Sequence, residues 1–212
     1  MDNNSTRADE FADAIKAYAP RYDVRLTETE IARLREYYEQ VMAWNTRLHL
    51  VAPCSPAEFA TRHVLESLVA LAHLSEGAHV ADVGSGAGLP VIPCLIMRPN
   101  LRVTLIESSP KKAIFLREAL RRVVAESRTI VLAERFEKTS TPEVDFVTCR
   151  ALDRFTEMFP KIIEWSPPSS TLLLFGGESL REQIEKTALR YNVISIPESE
   201  RRLLFIIKRS EL

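Results

Sequence analysis

A doubly wound α/β fold, with a mostly parallel seven-stranded sheet behind an N-terminal helical extension, is expected of this 212-residue chain. Two features point to it. From residue 78 onward, short apolar runs alternate with amphipathic helical stretches, the texture of a sheet covered on both faces. The first of those runs, Val80-Ala81-Asp82-Val83, breaks into Gly84-Ser85-Gly86-Ala87-Gly88-Leu89-Pro90, a strand feeding a tight turn. No strand signal precedes residue 78, so residues 1–77 are assigned to the helical extension and 78–212 to the sheet domain.

The extension contains three helices. The first is a weakly apolar segment from about Asp9 to Tyr18, stopped by Pro20. The second starts at Thr27, where Thr27 and Glu30 form a capping-box pattern ahead of Ile31, Leu34, Tyr38, Val41 and Trp44 at helical spacing. Ser55, Pro56 and Glu58 combine an N-cap, a first-turn proline and a second capping box, and the third helix runs from them to about Leu74. In the sheet domain, strands are expected near 79–83, 102–107, 129–133, 144–149, 171–175, 191–196 and 202–208. Helices are expected near 89–97, 110–126, 153–164 and 178–189. Only Pro197 to Glu200 separates the last two strands, too short for a parallel crossover, so they should pair antiparallel.

Composition narrows the function classes. Lys and Arg total 28 against 29 Asp and Glu, so a nucleic-acid partner must be met by a local basic patch. The polar N-terminus and the short apolar runs predict a soluble, cytoplasmic protein that does not associate with a membrane. Cys54, Cys94 and Cys149 are scattered, with no Cys-x-x-Cys pair, which points to buried thiols and not to a disulfide frame or a metal site.

The loop spacing is Gly-x-Gly-x-Gly. Dinucleotide loops favour Gly-x-Gly-x-x-Gly, and phosphate-binding P-loops end in Gly-Lys-Ser/Thr. With Asp82 two residues ahead, the loop suits S-adenosylmethionine, whose methionine end carries an ammonium and a carboxylate. Glu107 closes the second strand, where doubly wound folds place an acid on ribose hydroxyls; the plainer reading is an acid at the start of the following helix. Arg150 follows the fourth strand at the ligand-binding edge, with an ion pair to Asp153 or Glu137 as its structural alternative. Lys111, Lys112, Arg117, Arg121 and Arg122 make one helix basic, either a solvated face or a phosphate contact. His63 and Ser67 lie one helical turn apart beside Glu66. Such a helical serine is more often a packing residue than a nucleophile.

These segments resemble the bacterial small-subunit ribosomal RNA guanine-N7 methyltransferases, the glucose-inhibited division protein B family. The resemblance covers about residues 27 to 208. It is carried by Trp44-Asn45 through Leu50, Arg62-His63-Val64-Leu65-Glu66-Ser67-Leu68, Asp82 through Pro90, Leu105-Ile106-Glu107-Ser108 with Lys111-Lys112, Arg135-Phe136-Glu137, and Arg150-Ala151. It implies the class I S-adenosylmethionine-dependent methyltransferase fold. By the same resemblance Gly84, Gly86 and Leu89 line the methionine and ribose end of the cofactor and Glu107 takes the ribose. Phe136 and Glu137 flank the adenine, and Arg150 is the family's site arginine. The chain departs from the family pattern at Val91, usually glycine, at His49-Leu50-Val51, usually asparagine-leucine-threonine, and at Phe175, usually lysine.

The implied reaction is methyl transfer to guanine N7, which carries a lone pair and no proton, so no acid/base residue is indispensable and no catalytic residue is named. RNA's deep, narrow groove hides N7, and the target should therefore be an unstacked base. Arg62, Lys111 and Arg201, the last in a basic cluster with Arg202, Lys208 and Arg209, are the candidate phosphate contacts. The partner is small-subunit ribosomal RNA or the small ribosomal subunit, bound by a monomer. Phe175 supports a second reading, an RNA-binding or ribosome-assembly protein that keeps the fold without turnover. An NAD-dependent oxidoreductase is a third, disfavoured by the loop spacing.

Overall fold

The computed structural model describes residues 3–123, 128–140, 143–150 and 155–209. Helix α1 (Asn3–Tyr18) begins earlier than its apolar pattern suggests. It ends at Tyr18, just ahead of Pro20 as expected, and Pro20 enters a 3-10 turn over Ala19–Tyr22, since proline's fixed φ suits the first positions of a helical turn. Helix α2 (Glu28–Leu48) starts as expected. The Glu30 N–H donates to the Thr27 hydroxyl at 3.2 Å and the Thr27 N–H donates to the Glu30 carboxylate at 2.7 Å. Its buried face is Ile31, Leu34, Tyr37, Tyr38 and Val41.

The third helix of the extension is segmented. It comprises α3 (Pro56–Phe59), a π-helical turn over Ala60–Leu65, α4 (Glu66–Leu68) and a 3-10 turn over Val69–His73. Ser55 accepts the Glu58 N–H at 3.1 Å, while the Glu58 carboxylate turns to Arg62, one helical turn on, instead of completing a capping box.

The sheet domain contains β1 (His79–Val83), α5 (Val91–Met97), β2 (Arg102–Ile106), α6 (Pro110–Val123), β3 (Thr129–Leu132), β4 (Phe146–Arg150), α7 (Phe155–Trp165), β5 (Thr171–Gly176), α8 (Glu178–Glu185), β6 (Tyr191–Ser195) and β7 (Leu203–Lys208). The seven strands lie in the order β3-β2-β1-β4-β5-β7-β6. The first five are parallel, and β7 inserts antiparallel between β5 and β6. Element ends differ from expectation where local bonding intervenes. Helix α5 starts at Val91 because Gly88 to Pro90 belong to the loop. Helix α8 stops at Glu185, and the Thr187 hydroxyl donates to the Ile184 carbonyl beyond it. Residues 124–126 and 153–154, expected as helix ends, lie outside the described residues.

Both sheet faces are covered. One apolar cluster joins the extension to the sheet through Phe11, Tyr37, Phe59, Leu95 and Phe115; the other, on α7 and α8, gathers Phe159, Ile162, Trp165 and Ile184. Cys94 and Cys149 are buried as expected, whereas Cys54, in the link before α3, is only half-buried.

Gly88 is where the loop meets the core. Its φ is +87°, and a Cβ there would lie 2.3 Å from Ile92 Cδ1 and 3.2 Å from Leu116 Cδ2. Left-handed strain and overpacking act together, so Gly88→Ala is expected to cost about 3 kcal/mol of stability. Gly86, with φ +52° and only the Gly84 carbonyl at 3.8 Å, meets no such clash. Urea denaturation of Gly88→Ala and Gly86→Ala checks this, and equal losses would contradict it.

Candidate functional site

A cleft of about 1370 Å³ runs along the carboxyl edge of β1, β2, β4 and β5. Gly84, Gly86, Leu89, Glu107, Phe136, Glu137, Arg150, Arg62 and Arg201 all line it. Lys111 is not among the lining residues, but its neighbour Lys112 is. The cleft thus brings together every candidate except Lys111.

Gly84, Gly86 and Gly88 have φ of +71°, +52° and +87°, the left-handed region that glycine enters without penalty. The Gly84 N–H donates to the Ile106 carbonyl at 2.9 Å, tying the loop to the end of β2. Glu107 completes the brace. One carboxylate oxygen accepts the Gly86 N–H at 2.9 Å and the other accepts the Ser109 N–H at 2.7 Å, just before α6. Glu107 therefore faces the cleft and also bonds the backbone at the head of the helix. Each oxygen has acceptor capacity left for a ribose hydroxyl. From α2, the Tyr37 hydroxyl donates to the Ala87 carbonyl at 2.9 Å, a support absent from the predicted apolar stripe.

Asp82 lies beneath the loop and is not part of the cleft wall. The Thr148 hydroxyl donates to one of its oxygens at 2.7 Å, while the other has no hydrogen-bond partner among the described residues. Burial pushes its carboxyl up to about 7, with the Thr148 and Ser85 hydroxyls opposing the shift and the Glu107 charge adding to it.

Arg150 is the last residue of β4, and its side chain is 13% exposed. Its Nη1 donates to the Ser67 hydroxyl at 3.0 Å and the His63 carbonyl at 3.3 Å. Nη2 donates to Glu66 at 3.1 Å and to the Arg62 carbonyl. The Phe175 ring lies against the guanidinium, 5.6 Å from the ring centroid. The partner of Arg150 is thus Glu66, and Glu137 faces Lys161 at 3.7 Å instead; Asp153 lies outside the described residues. Nothing near Arg150 in sequence marks Glu66, which is 84 residues away. The clustering depends on the π-helical turn, a rare wide turn that recurs at functional sites.

His63 and Ser67 do not form a charge relay. The Ser67 hydroxyl donates to the His63 carbonyl at 2.5 Å, while the imidazole packs on Phe59 with centroids 5.1 Å apart. Burial, reinforced by Arg150 and Arg62, lowers the His63 pKa to about 4. Phe136 is buried, edge-on to Trp165 at 5.7 Å, so little of its ring reaches the cleft. The cleft also takes Ala52 after α2 and Met158 on α7, which the sequence did not single out as site residues, and Arg202 before β7, a member of the Arg201 basic cluster. Among the described residues no cluster of His, Cys, Asp and Glu is arranged to hold a metal.

Comparison with known proteins places this geometry in a lineage. The model of the family described as rRNA small subunit methyltransferase G matches residues 30–203. A protein named ribosomal RNA small subunit methyltransferase G from Sorangium cellulosum is 36% identical over 172 residues, 78% of this chain and 72% of that one. Its namesake from Xanthomonas axonopodis pv. citri is 37% identical over 190 residues, covering 84% and 86%. A solved SAM-dependent methyltransferase from Aquifex aeolicus shares the fold, with a TM-score of 0.51 at 17% identity over 63% of this chain and 83% of that one. With the match spanning the braced glycine loop and Arg150 alike, this chain belongs to the rRNA small subunit methyltransferase G family.

Proposed function

We propose that this protein transfers the methyl group of S-adenosylmethionine to N7 of a guanine in small-subunit ribosomal RNA. The observation that carries this is the glycine loop braced by Glu107 at the mouth of a cleft rimmed with arginines, in a chain of that family. The cleft residues fit the cofactor: the space over Gly86 is open to a close backbone approach, and the Glu107 carboxylate offers acceptors for ribose hydroxyls. When bound, the cofactor supplies an electrophilic methyl on a sulfonium. Gly84, Gly86 and Leu89 hold the methionine and ribose end, Glu107 the ribose, and Phe136 with Glu137 the adenine side; Arg150 sets the charge and shape of the wall beside them.

Guanine N7 attacks with a lone pair and has no proton to lose. The chain therefore needs only to position the base, exclude water and match the charge that develops. This agrees with His63 kept neutral by burial and with an Arg150 guanidinium whose Nη groups are all engaged. Arg62, Lys111 and Arg201 hold phosphates around an unstacked target base. We infer that the chain acts as a monomer, and no described helix is long and apolar enough to cross a membrane. We place its work in the cytoplasm, on ribosomal RNA or the small subunit.

The test is transfer of labelled methyl from S-adenosylmethionine to purified small-subunit RNA and to small subunits, with mass spectrometry of the nucleosides. 7-Methylguanosine is the expected product. Label in neither substrate would overturn the activity, and RNA binding without label would favour a silent assembly protein.

A further inference from the structure

The Glu66 carboxylate is 1% exposed and lies between two arginines, one at the end of β4 and one just before β7. Its oxygens are used unequally. Oε2 accepts from Arg150, whose guanidinium is further tied to Ser67 and to the carbonyls of Arg62 and His63. Oε1 lies 2.6 Å from Arg202 Nη2, an ion pair off the hydrogen-bond axis. Neither that oxygen nor Arg202 Nε has a hydrogen-bond partner among the described residues. One arginine is tied by four hydrogen bonds, while the other is held through one close ion pair to a single carboxylate oxygen.

Arg202 also lines the cleft. It directly precedes Leu203, which pairs with Gly176 at the end of β5, and its side chain is 36% exposed on the cleft. We propose that Glu66 is the positioning residue for substrate RNA, its buried charge holding Arg202 at the cleft mouth so that the guanidinium takes a phosphate of the target strand. This rests on the reading that the substrate is RNA. A carboxylate with almost no exposed surface cannot meet RNA itself, so its effect passes through the cation. A guanidinium held at one nitrogen keeps its other donors for a phosphate, which supplies an acceptor for the Nε donor that lacks one. Arg150 cannot take this part because its Nη groups are engaged.

The experiment measures methyl transfer to small-subunit RNA by the full chain at several salt concentrations. Arg202→Ala is expected to raise KM for RNA about tenfold and to lower the salt slope of RNA affinity by about one, leaving kcat nearly unchanged. Glu66→Gln should raise KM for RNA by a similar factor in the wild-type background and add almost nothing in the Arg202→Ala background. Glu66→Asp, which keeps the charge, should recover most of the lost RNA affinity. Because Glu66→Gln also removes the counter-charge of Arg150, its folding and its S-adenosylhomocysteine affinity are followed separately. If Glu66→Gln fails to fold, Arg202→Ala decides by its salt slope. An equal KM penalty for Glu66→Gln in both backgrounds, or an unchanged KM and salt slope in Arg202→Ala while the wild type methylates RNA, would overturn the proposal. Absence of RNA methylation and RNA binding by the wild type would overturn the RNA reading itself.

Discussion

Arg150→Ala is expected to lower stability by about 3–5 kcal/mol and to abolish measurable methyl transfer. The mutation removes four hydrogen bonds. It also leaves Glu66, 1% exposed, with Arg202 as its nearest remaining counter-charge. Glu66 keeps its ion pair with Arg202, but the oxygen that accepted from Arg150 is left buried without that donor, and an unsatisfied buried acceptor costs more than the bond contributes when intact. The same loss frees the π-helical turn from the end of β4, and that turn carries Arg62 and His63 on the cleft wall. Urea denaturation and the labelled-methyl assay check both parts. A loss under about 1 kcal/mol with activity retained would show that the guanidinium is dispensable. Arg150→Lys is expected to fall between, since an ammonium cannot reproduce the planar fork that serves Ser67, His63, Arg62 and Glu66 together.

The second large effect concerns pH. Asp82 ionises at about 7 in the folded protein against an ordinary value of 3.8, because burial disfavours its charged form. Between those values the folded state binds the proton that the unfolded chain has released. This contribution to stability is therefore fully present below about pH 4 and lost as the pH rises through about 7, at up to about 1.4 kcal/mol per pH unit. Other carboxylates superimpose their own dependence, so the diagnostic is a difference. Asp82→Asn should be more stable relative to wild type at pH 8 than at pH 5, and denaturation at the two values measures the crossover. A constant difference between the two proteins would show that Asp82 stays ionised in the fold.

Much of the architecture was legible in local chemistry. The Thr27–Glu30 box set the start of α2, and the short Pro197 to Glu200 link required an antiparallel final pair. Where expectation failed, a competing partner intervened, one of them local and the other distant. Glu58 was taken by Arg62, and the helix after Ser55 widened into a π turn around a guanidinium that arrives from β4. At the site, Glu107 was readable because its place at a strand end is local. The pairing of Glu66 with Arg202 was not, because it is a contact between the extension and the residue leading into β7, far apart in sequence. Phe175 stands out in sequence only as a departure, whereas in the structure its ring supports Arg150.

The position of β7 between β5 and β6 bears on how the chain assembles during synthesis. Strand β5 is complete at Gly176, yet one of its edges stays open until Leu203–Lys208 has been made. During that interval Leu172, Leu173, Leu174 and Phe175 present an apolar, unpaired edge of the kind that recruits other chains. The strand that ends this exposure arrives directly after Arg202, so closing the sheet and seating the second counter-charge of Glu66 are one event. A chain whose sheet is still open at β5 therefore also lacks Arg202 at the Glu66 carboxylate, so the sheet edge and that part of the cleft are completed together.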